Sequence, residues 1–344
     1  MISPLEMLYL CALKIDKYLT QKEKLPRPVL SVGNIALGGR AKTPLVIEIA
    51  TILKQRGWHP VVLTRGYRRK VSEPRWLLPA SLANGEAMFF SADEVGDEPL
   101  EIFIKSGVPV LVGADRKKNA HAFLKQYSDR LNKIIFILDD GFQHWKLHRD
   151  FDLVIVENSD YKAKLLPVGP LRESTEALKR ADLVLELGKS VVKIMKVPTD
   201  LPLGSSAQNP TIALAVTTRA GKQREYFLNL EKKIEETQLV KMLSLDLRDH
   251  ASNDEIITKI HEIKGWNFLV LGWKEFVKIL DIRKFAEDPT FINTLKKTPF
   301  LKDITLMGAN GSQGESVDIA LVDLEVKWDA EHFYTALIHK IGDV

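Results

Sequence analysis

Three short strings carry residue types and spacings suited to phosphoryl chemistry. In "SVGNIALGGRAKTPLV", residues 31–46, Gly38, Gly39, Arg40, Ala41, Lys42 and Thr43 follow the apolar run "PVLSV" and precede a helical pattern. At such a strand-to-helix turn the backbone N–H groups point inward, and the helix N-terminus favours an anion. A lysine there reaches the β- and γ-phosphates of a nucleotide, and the next hydroxyl takes Mg²⁺. Pro44 suits the first helical turn, where no N–H is needed. The G-x-x-x-x-G-K-[ST] pattern nevertheless fails at both glycines, because Ala36 and Ala41 stand there. Taken alone, the string also fits an ordinary turn.

The second string, "KIIFILDDGFQH" (133–144), is an apolar run that ends abruptly in Asp139 and Asp140. Carboxylates at the carboxyl end of a strand sit where ligands bind in open α/β sheets, and one of them can hold Mg²⁺. The bland alternative is a solvated Asp-Asp-Gly turn. The third string, "EVGDEPLEIF" (94–103), puts Asp97 and Glu98 at a helix start. There they either cap the helix and oppose its dipole, or serve as a general base and a metal ligand beside a nucleotide.

The elements that must position these residues are legible as runs. "RPVLSV", "HPVVLT", "VPVLVG", "KIIFIL", "FDLVIVE" and "ADLVLEL" are continuously apolar, as strands buried on both faces of a parallel sheet are. Helical patterns fall between them at 43–56, 97–106, 115–126 and 173–180. The alternation predicts a doubly wound α/β domain. "KVPTDLPLGSSAQNP" (196–210) reads as a linker, and the alternation then resumes in "TIALAVT", "QLVKMLSL", "WNFLVLG" and "VDIALVDLEV", with helices at 252–264 and 273–286. A second, smaller α/β unit is expected there.

Composition bounds the rest. The chain has 344 residues, 45% of them apolar, enough for two buried cores. A net charge of +4 is too small and dispersed to argue for nucleic acid, though it suits anionic substrates or a membrane surface. The single cysteine, Cys11, excludes an internal disulfide and points to a reducing compartment. No basic segment precedes an apolar run at the N-terminus, and no stretch reaches the roughly 18 uncharged apolar residues of a membrane span. "SPLEMLYLCALKIDKYLT" (3–20) does read as an amphipathic helix, with Leu5, Met7, Leu8, Cys11, Ile15, Tyr18 and Leu19 on one arc. Glu6, Lys14 and Lys17 lie opposite, with Leu10 and Leu13 among them. Such a helix either packs on its own domain or lies on a membrane as a monotopic anchor.

"PVLSVGNIALGGRAKTP", "LTRGY", "GDEP", "LDDGFQH", "LPVGPLRES" and "RDH" stand in the order and spacing of the tetraacyldisaccharide 4′-kinases. The chain resembles that family over nearly its whole length, less so after about residue 255. The resemblance implies a phosphate-loop NTPase-type, mostly parallel sheet domain at 21–200 and a smaller α/β domain at 201–344, whose last strand and helix can return to the core. It also implies a membrane-contact helix at 1–20. The implied activity is ATP-dependent phosphorylation of the 4′-hydroxyl of a tetraacyl glucosamine disaccharide 1-phosphate in lipid A assembly, by a peripheral protein on the cytoplasmic side of the bacterial inner membrane.

Carried over by matching position, Gly38 to Thr43 would bind phosphate, with Lys42 on the β- and γ-groups. Thr43, Glu98 and Asp139 would hold Mg²⁺. Asp97 would act as the base, supported by His250, and Asn34, Gln143, His144 and Arg172 would line the substrate cleft. The rival reading is a non-catalytic nucleotide- or lipid-binding paralogue. It predicts decay of the carboxylates, whereas Asp97, Glu98 and Asp139 are retained.

Several positions depart from the family pattern. Ala251 follows His250 where a second histidine is usual, "NSDYKAKLLPVGP" (158–170) lacks the usual Gly-Asn, and "GWKE" keeps only Lys274 and Glu275 of a later signature. Ala41 replaces a glycine. If that position requires φ > 0, alanine costs on the order of 1–2 kcal/mol and weakens nucleotide binding severalfold, with Lys42 and Thr43 retained.

Overall fold

A computed structural model describes residues 3–67, 69–83, 91–196, 211–218, 232, 240–247, 253–263, 268–273, 276–277, 300–307 and 313–342. Its first sheet is built from β1 (Val29–Asn34), β2 (His59–Thr64), β3 (Arg75–Leu77), β4 (Val110–Val112), β5 (Ile134–Asp139), β6 (Phe151–Val156) and β7 (Leu183–Glu186). The spatial order is β3-β4-β2-β5-β1-β6-β7, and every pairing is parallel except β3 with β4. All six residues of β1, of β5 and of β6 are buried, which is why their sequences run apolar without alternation.

The crossovers are helical: α2 (Lys42–Gln55), α3 (Ala92–Val95), α4 (Asp97–Ser106) and α5 (Arg116–Tyr127), the first helix α1 being Pro4–Leu19. Helices α2, α4 and α5 match the expected 43–56, 97–106 and 115–126 closely. The stretch expected to be helical at 173–180 is a 3₁₀ segment, Thr175–Arg180, with its buried apolar contacts limited to Ala177 and Leu178. Too few apolar positions recur there to drive a full α-helical face.

Five strands follow: β8 (Val191–Lys196), β9 (Thr211–Thr218), β10 (Val240–Leu247), β11 (Phe268–Gly272) and β12 (Phe300–Met307), and then the long β13 (Gln313–Trp328). They form a second sheet ordered β10-β9-β11-β13-β12, with β8 antiparallel to the far half of β13. Helix α6 (Asn253–Glu262) packs within it, and α7 (Ala330–Ile341) closes the described chain. The α7 ring of Phe333 meets Phe151 of β6 edge-on at 5.9 Å, so the last helix lies against the first sheet. Most of the expected 196–210 linker and of the expected 273–286 helix lies outside the described residues.

Helix α1 starts with a full capping box, in which Ser3 and Glu6 each cap the other's backbone N–H. Glu6 is buried, and its carboxylate also accepts the Leu165 N–H at 3.0 Å. Tyr9 donates its hydroxyl to the Arg172 carbonyl at 2.9 Å. Leu10 packs on the cluster around Ile35 and Leu171. The polar arc of this helix therefore docks on the domain. Leu5, Met7, Leu8, Ile15, Tyr18 and Leu19 are all exposed.

Candidate active site

Strand β1 sits between β5 and β6, while the chain leaving it runs through α2 to β2 on the far side of β5. This reversal opens a crevice at the carboxyl ends of β1 and β5, the place where open α/β sheets bind ligands. The Gly38–Thr43 string fills the turn from β1 into α2. Gly38 has φ +102° with open space around it, and Ala41 caps α2 in the left-handed region at φ 59°, ψ 26°. Position 41 thus does require φ > 0. An alanine held there carries backbone strain, which the surrounding structure must sustain.

The turn after β5 fits against β1 only because of Gly33, where a Cβ would stand 2.6 Å from Phe142 Cβ and 2.8 Å from its backbone N. The Gly141 N–H donates to the Val32 carbonyl at 3.2 Å, fixing the "DDGFQH" turn over the end of β1. This registers Asp139 and Asp140 beside the loop. Lys42 Nζ lies 3.4 Å from Asp140 Oδ1, and Arg172 Nη1 donates to Asp140 Oδ2 at 2.8 Å. The Arg116 guanidinium, itself buried, donates to the Asp140 carbonyl at 3.4 Å.

The two carboxylates differ. Burial would raise the pKa of Asp140, but Lys42, Arg172 and Arg116 outweigh it and hold the group below its ordinary value. Asp139 is pushed upward, first by burial and then by the Asp140 charge, with the Thr64 hydroxyl donating to its Oδ2 at 2.9 Å as partial compensation. A buried carboxylate short of positive charge, beside the strand-end Thr64 hydroxyl, is a hard-oxygen donor that suits a divalent cation such as Mg²⁺. Among the described residues no three His, Cys, Asp or Glu side chains cluster as a self-sufficient metal site.

On the other side of the crevice, Gln143 Nε2 donates to the Asn34 carbonyl at 3.0 Å and to Glu173 Oε1 at 2.9 Å. Arg180 brackets Glu173 with two donors and stacks over the Phe142 ring at 3.8 Å. Asn34 is fully buried, and among the described residues neither its amide nitrogen nor its amide oxygen has a partner. His144 Nε2 is likewise unpartnered among them. Burial, then Arg116, Arg149 and Lys146, lower the His144 pKa to about 4, so the ring is neutral near pH 7.

Asp97 and Glu98 open α4, half-buried, with Asp97 Oδ1 accepting the Glu98 N–H at 3.1 Å. Gly96 before them, at φ +96°, lies against the Tyr67 carbonyl of the loop that follows β2. The Tyr67 contact puts them near the carboxyl end of β2, which lies two strands from β1 in the sheet order. Arg40 has its guanidinium on Asp160 and Glu157. His250, Ala251, Lys274 and Glu275 lie outside the described residues.

Sequence reasoning gave no role to Thr64, Arg116, Glu173 or Asp160, and offered Asp140 only as one of two candidate strand-end carboxylates. Thr64 and Glu173 stand within the quoted "LTRGY" and "LPVGPLRES" strings, so a signal existed for them. Arg116 and Asp160 had none.

A family model described as Tetraacyldisaccharide-1-P 4′-kinase matches residues 1–284. The chain is 33% identical over 284 residues to the Tetraacyldisaccharide 4′-kinase of Shewanella halifaxensis (strain HAW-EB4), spanning 77% of this chain and 78% of that one. It is 39% identical over 186 residues to the protein of that name from Dechloromonas aromatica (strain RCB), spanning 54% of this chain and 52% of the relative. In several such relatives the match thus covers about half of their length, 45% in that of Syntrophus aciditrophicus (strain SB). Among solved structures the fold is similar to a crystal structure titled as the "apo" form of LpxK from Aquifex aeolicus in complex with ATP, with TM-score 0.67, 24% identity, and coverage of 98% of this chain and 97% of that one.

Proposed function

The chain belongs to the tetraacyldisaccharide-1-P 4′-kinase family, and from that premise we propose that it transfers the γ-phosphoryl group of ATP to the 4′-hydroxyl of a tetraacyl glucosamine disaccharide 1-phosphate. The observation that carries the proposal is Lys42, at the start of α2, facing the Asp139–Asp140 strand end across neighbouring strands at 3.4 Å. A left-handed turn of backbone N–H groups, a lysine and a strand-end carboxylate are what in-line phosphoryl transfer needs from a protein.

In this reading residues 38–43 cradle the phosphates, and Lys42 moves from Asp140 onto the β- and γ-groups. Asp140 and Arg172 then remain paired at the edge of the site. The 4′-oxygen attacks the γ-phosphorus, the bond to the β–γ bridging oxygen breaks, and ADP leaves. Asp97 accepts the hydroxyl proton, oriented by His250. Thr43, Asp139 and Glu98 would hold Mg²⁺, which when bound neutralises charge on the phosphate oxygens. Asn34, Gln143, His144 and Arg172 line the sugar side. The unpartnered amide of Asn34 and the neutral His144 ring offer it hydrogen bonds rather than charge.

The lipid substrate accounts for α1. Among the described residues no helix is long and apolar enough to cross a membrane. The exposed apolar arc of α1 instead suits a helix lying on a bilayer, here the cytoplasmic face of the inner membrane.

The test incubates the full chain with labelled ATP, Mg²⁺ and the tetraacyl disaccharide 1-phosphate in detergent. Label appearing at the 4′-position is the expected result. ATP binding without transfer would replace the kinase with the non-catalytic paralogue, and loss of both would overturn the nucleotide site itself.

A further inference from the structure

Arg40 lies between the loop glycines and the left-handed Ala41, and its guanidinium is fully engaged. Nη2 donates to Asp160 Oδ1 at 2.6 Å, Nε to Asp160 Oδ2 at 3.3 Å, and Nη1 lies 3.1 Å from Glu157 Oε2. Asp160 is 1% exposed and also accepts the Glu157 N–H at 2.8 Å. A two-pronged arginine–carboxylate pair fixes orientation as well as distance. The start of the same loop is bound to the same stretch of chain. The Arg172 N–H donates to the Ile35 carbonyl at 2.7 Å, and the Leu37 N–H to the Pro170 carbonyl at 2.8 Å. Residues 157–172 thus hold the loop at both ends.

We propose that Asp160 is a positioning residue of the phosphate loop: by gripping Arg40 it keeps the adjoining Ala41 in the left-handed conformation before nucleotide arrives. The proposal rests on the reading of residues 38–43 as the ATP site. Without the grip, the loop is free to relax toward conformations alanine prefers, and ATP has to restore the strained one. With glycine at 41 there is no such preference to overcome, and the grip becomes dispensable.

Calorimetric binding of Mg²⁺–ATP to the full chain, with melting temperatures measured in parallel, tests this on four proteins. Asp160→Asn is expected to weaken ATP binding about tenfold while the KM for the lipid acceptor changes less than about twofold. Ala41→Gly alone is expected to raise the melting temperature, and its ATP affinity serves as the reference for the double variant. The double variant should bind ATP within about threefold of that reference. An Asp160→Asn variant that binds ATP as the parent does, or an equal loss with alanine and with glycine at 41, overturns the proposal. If Asp160→Asn does not fold, Arg40→Lys keeps a charge beside Asp160 but loses the fork, and is held to the same pattern. A parent protein that does not bind ATP at all overturns the nucleotide reading, and the clamp with it.

Discussion

Lys42 Nζ stands 3.4 Å from Asp140 Oδ1, and the other oxygen of that carboxylate takes Arg172 Nη1 at 2.8 Å. One carboxylate therefore links the phosphate turn to the string that faces the acceptor. Asp140 adopts φ 50°, which turns its side chain out of the line of β5 while Asp139 keeps the strand geometry. Neighbouring acids are thereby separated into two environments, one ionised among cations and one buried beside a hydroxyl.

Lys42→Ala is expected to lower phosphoryl transfer by roughly 10²–10³-fold or more, as loss of a preorganised positive group does. Steady-state kcat at saturating ATP and lipid measures it. The melting temperature should move little, because Asp140 keeps Arg172. Transfer within tenfold of the parent would remove Lys42 from the chemistry.

Gly33→Ala tests how the site is assembled rather than what it does. The added Cβ would meet the Phe142 backbone and Cβ, neither of which can swing aside. A destabilisation of roughly 2–4 kcal/mol is expected by denaturant titration, with loss of activity because the "DDGFQH" turn must lift off β1. Parent-like stability would show that the turn can move without cost.

His144 gives a pH signature. Its folded-state pKa of about 4 lies below the ordinary 6.5, so the unfolded chain binds this proton more readily. Stability from this group is therefore complete above about pH 6.5 and is lost as pH falls toward 4. Replacing His144 with glutamine should flatten that acid limb by about 2 kcal/mol, allowing for partial solvation of the ring. Parallel acid limbs for the two proteins would contradict the assignment.

Much of this was readable in the sequence, for a physical reason. Strands β1, β2, β5 and β6 are buried on both faces, so their apolar runs need no partner to be recognised, and their carboxyl ends mark the crevice. Lys42 and Asp139 follow from those ends. The short β3 and α3 lack a continuous apolar run and carry too little pattern to be seen, unlike β4 and β7. Arg40 illustrates the harder limit: an arginine in a glycine-rich turn reads as a phosphate ligand, and its actual partner Asp160 lies 120 residues away. Only the fold brings them together. Ala41 was legible as a substitution, and its left-handed backbone, conditional in the sequence, is a property of the fold.

Helix α1 yields the last prediction. Its contacts with the domain are polar or confined to one edge: Glu6 to Leu165, Tyr9 to Arg172, and Leu10 on the Ile35 cluster. The arc it leaves to solvent includes Leu8 at 67% and Tyr18 at 89% exposure, an apolar face of the kind that interaction sites present. Burying one leucine side chain in lipid contributes about 1.5–3 kcal/mol, so a single Leu8→Glu change should lower partition onto vesicles at least tenfold. Co-sedimentation with phosphatidylethanolamine–phosphatidylglycerol vesicles measures this for the parent, Leu8→Glu and Tyr18→Glu. Solution binding of ATP should be unchanged in both variants, because neither side chain takes part in the Glu6 and Tyr9 contacts that tie the helix to the site. Sedimentation equal to the parent's in both variants would mean that this arc does not meet the membrane.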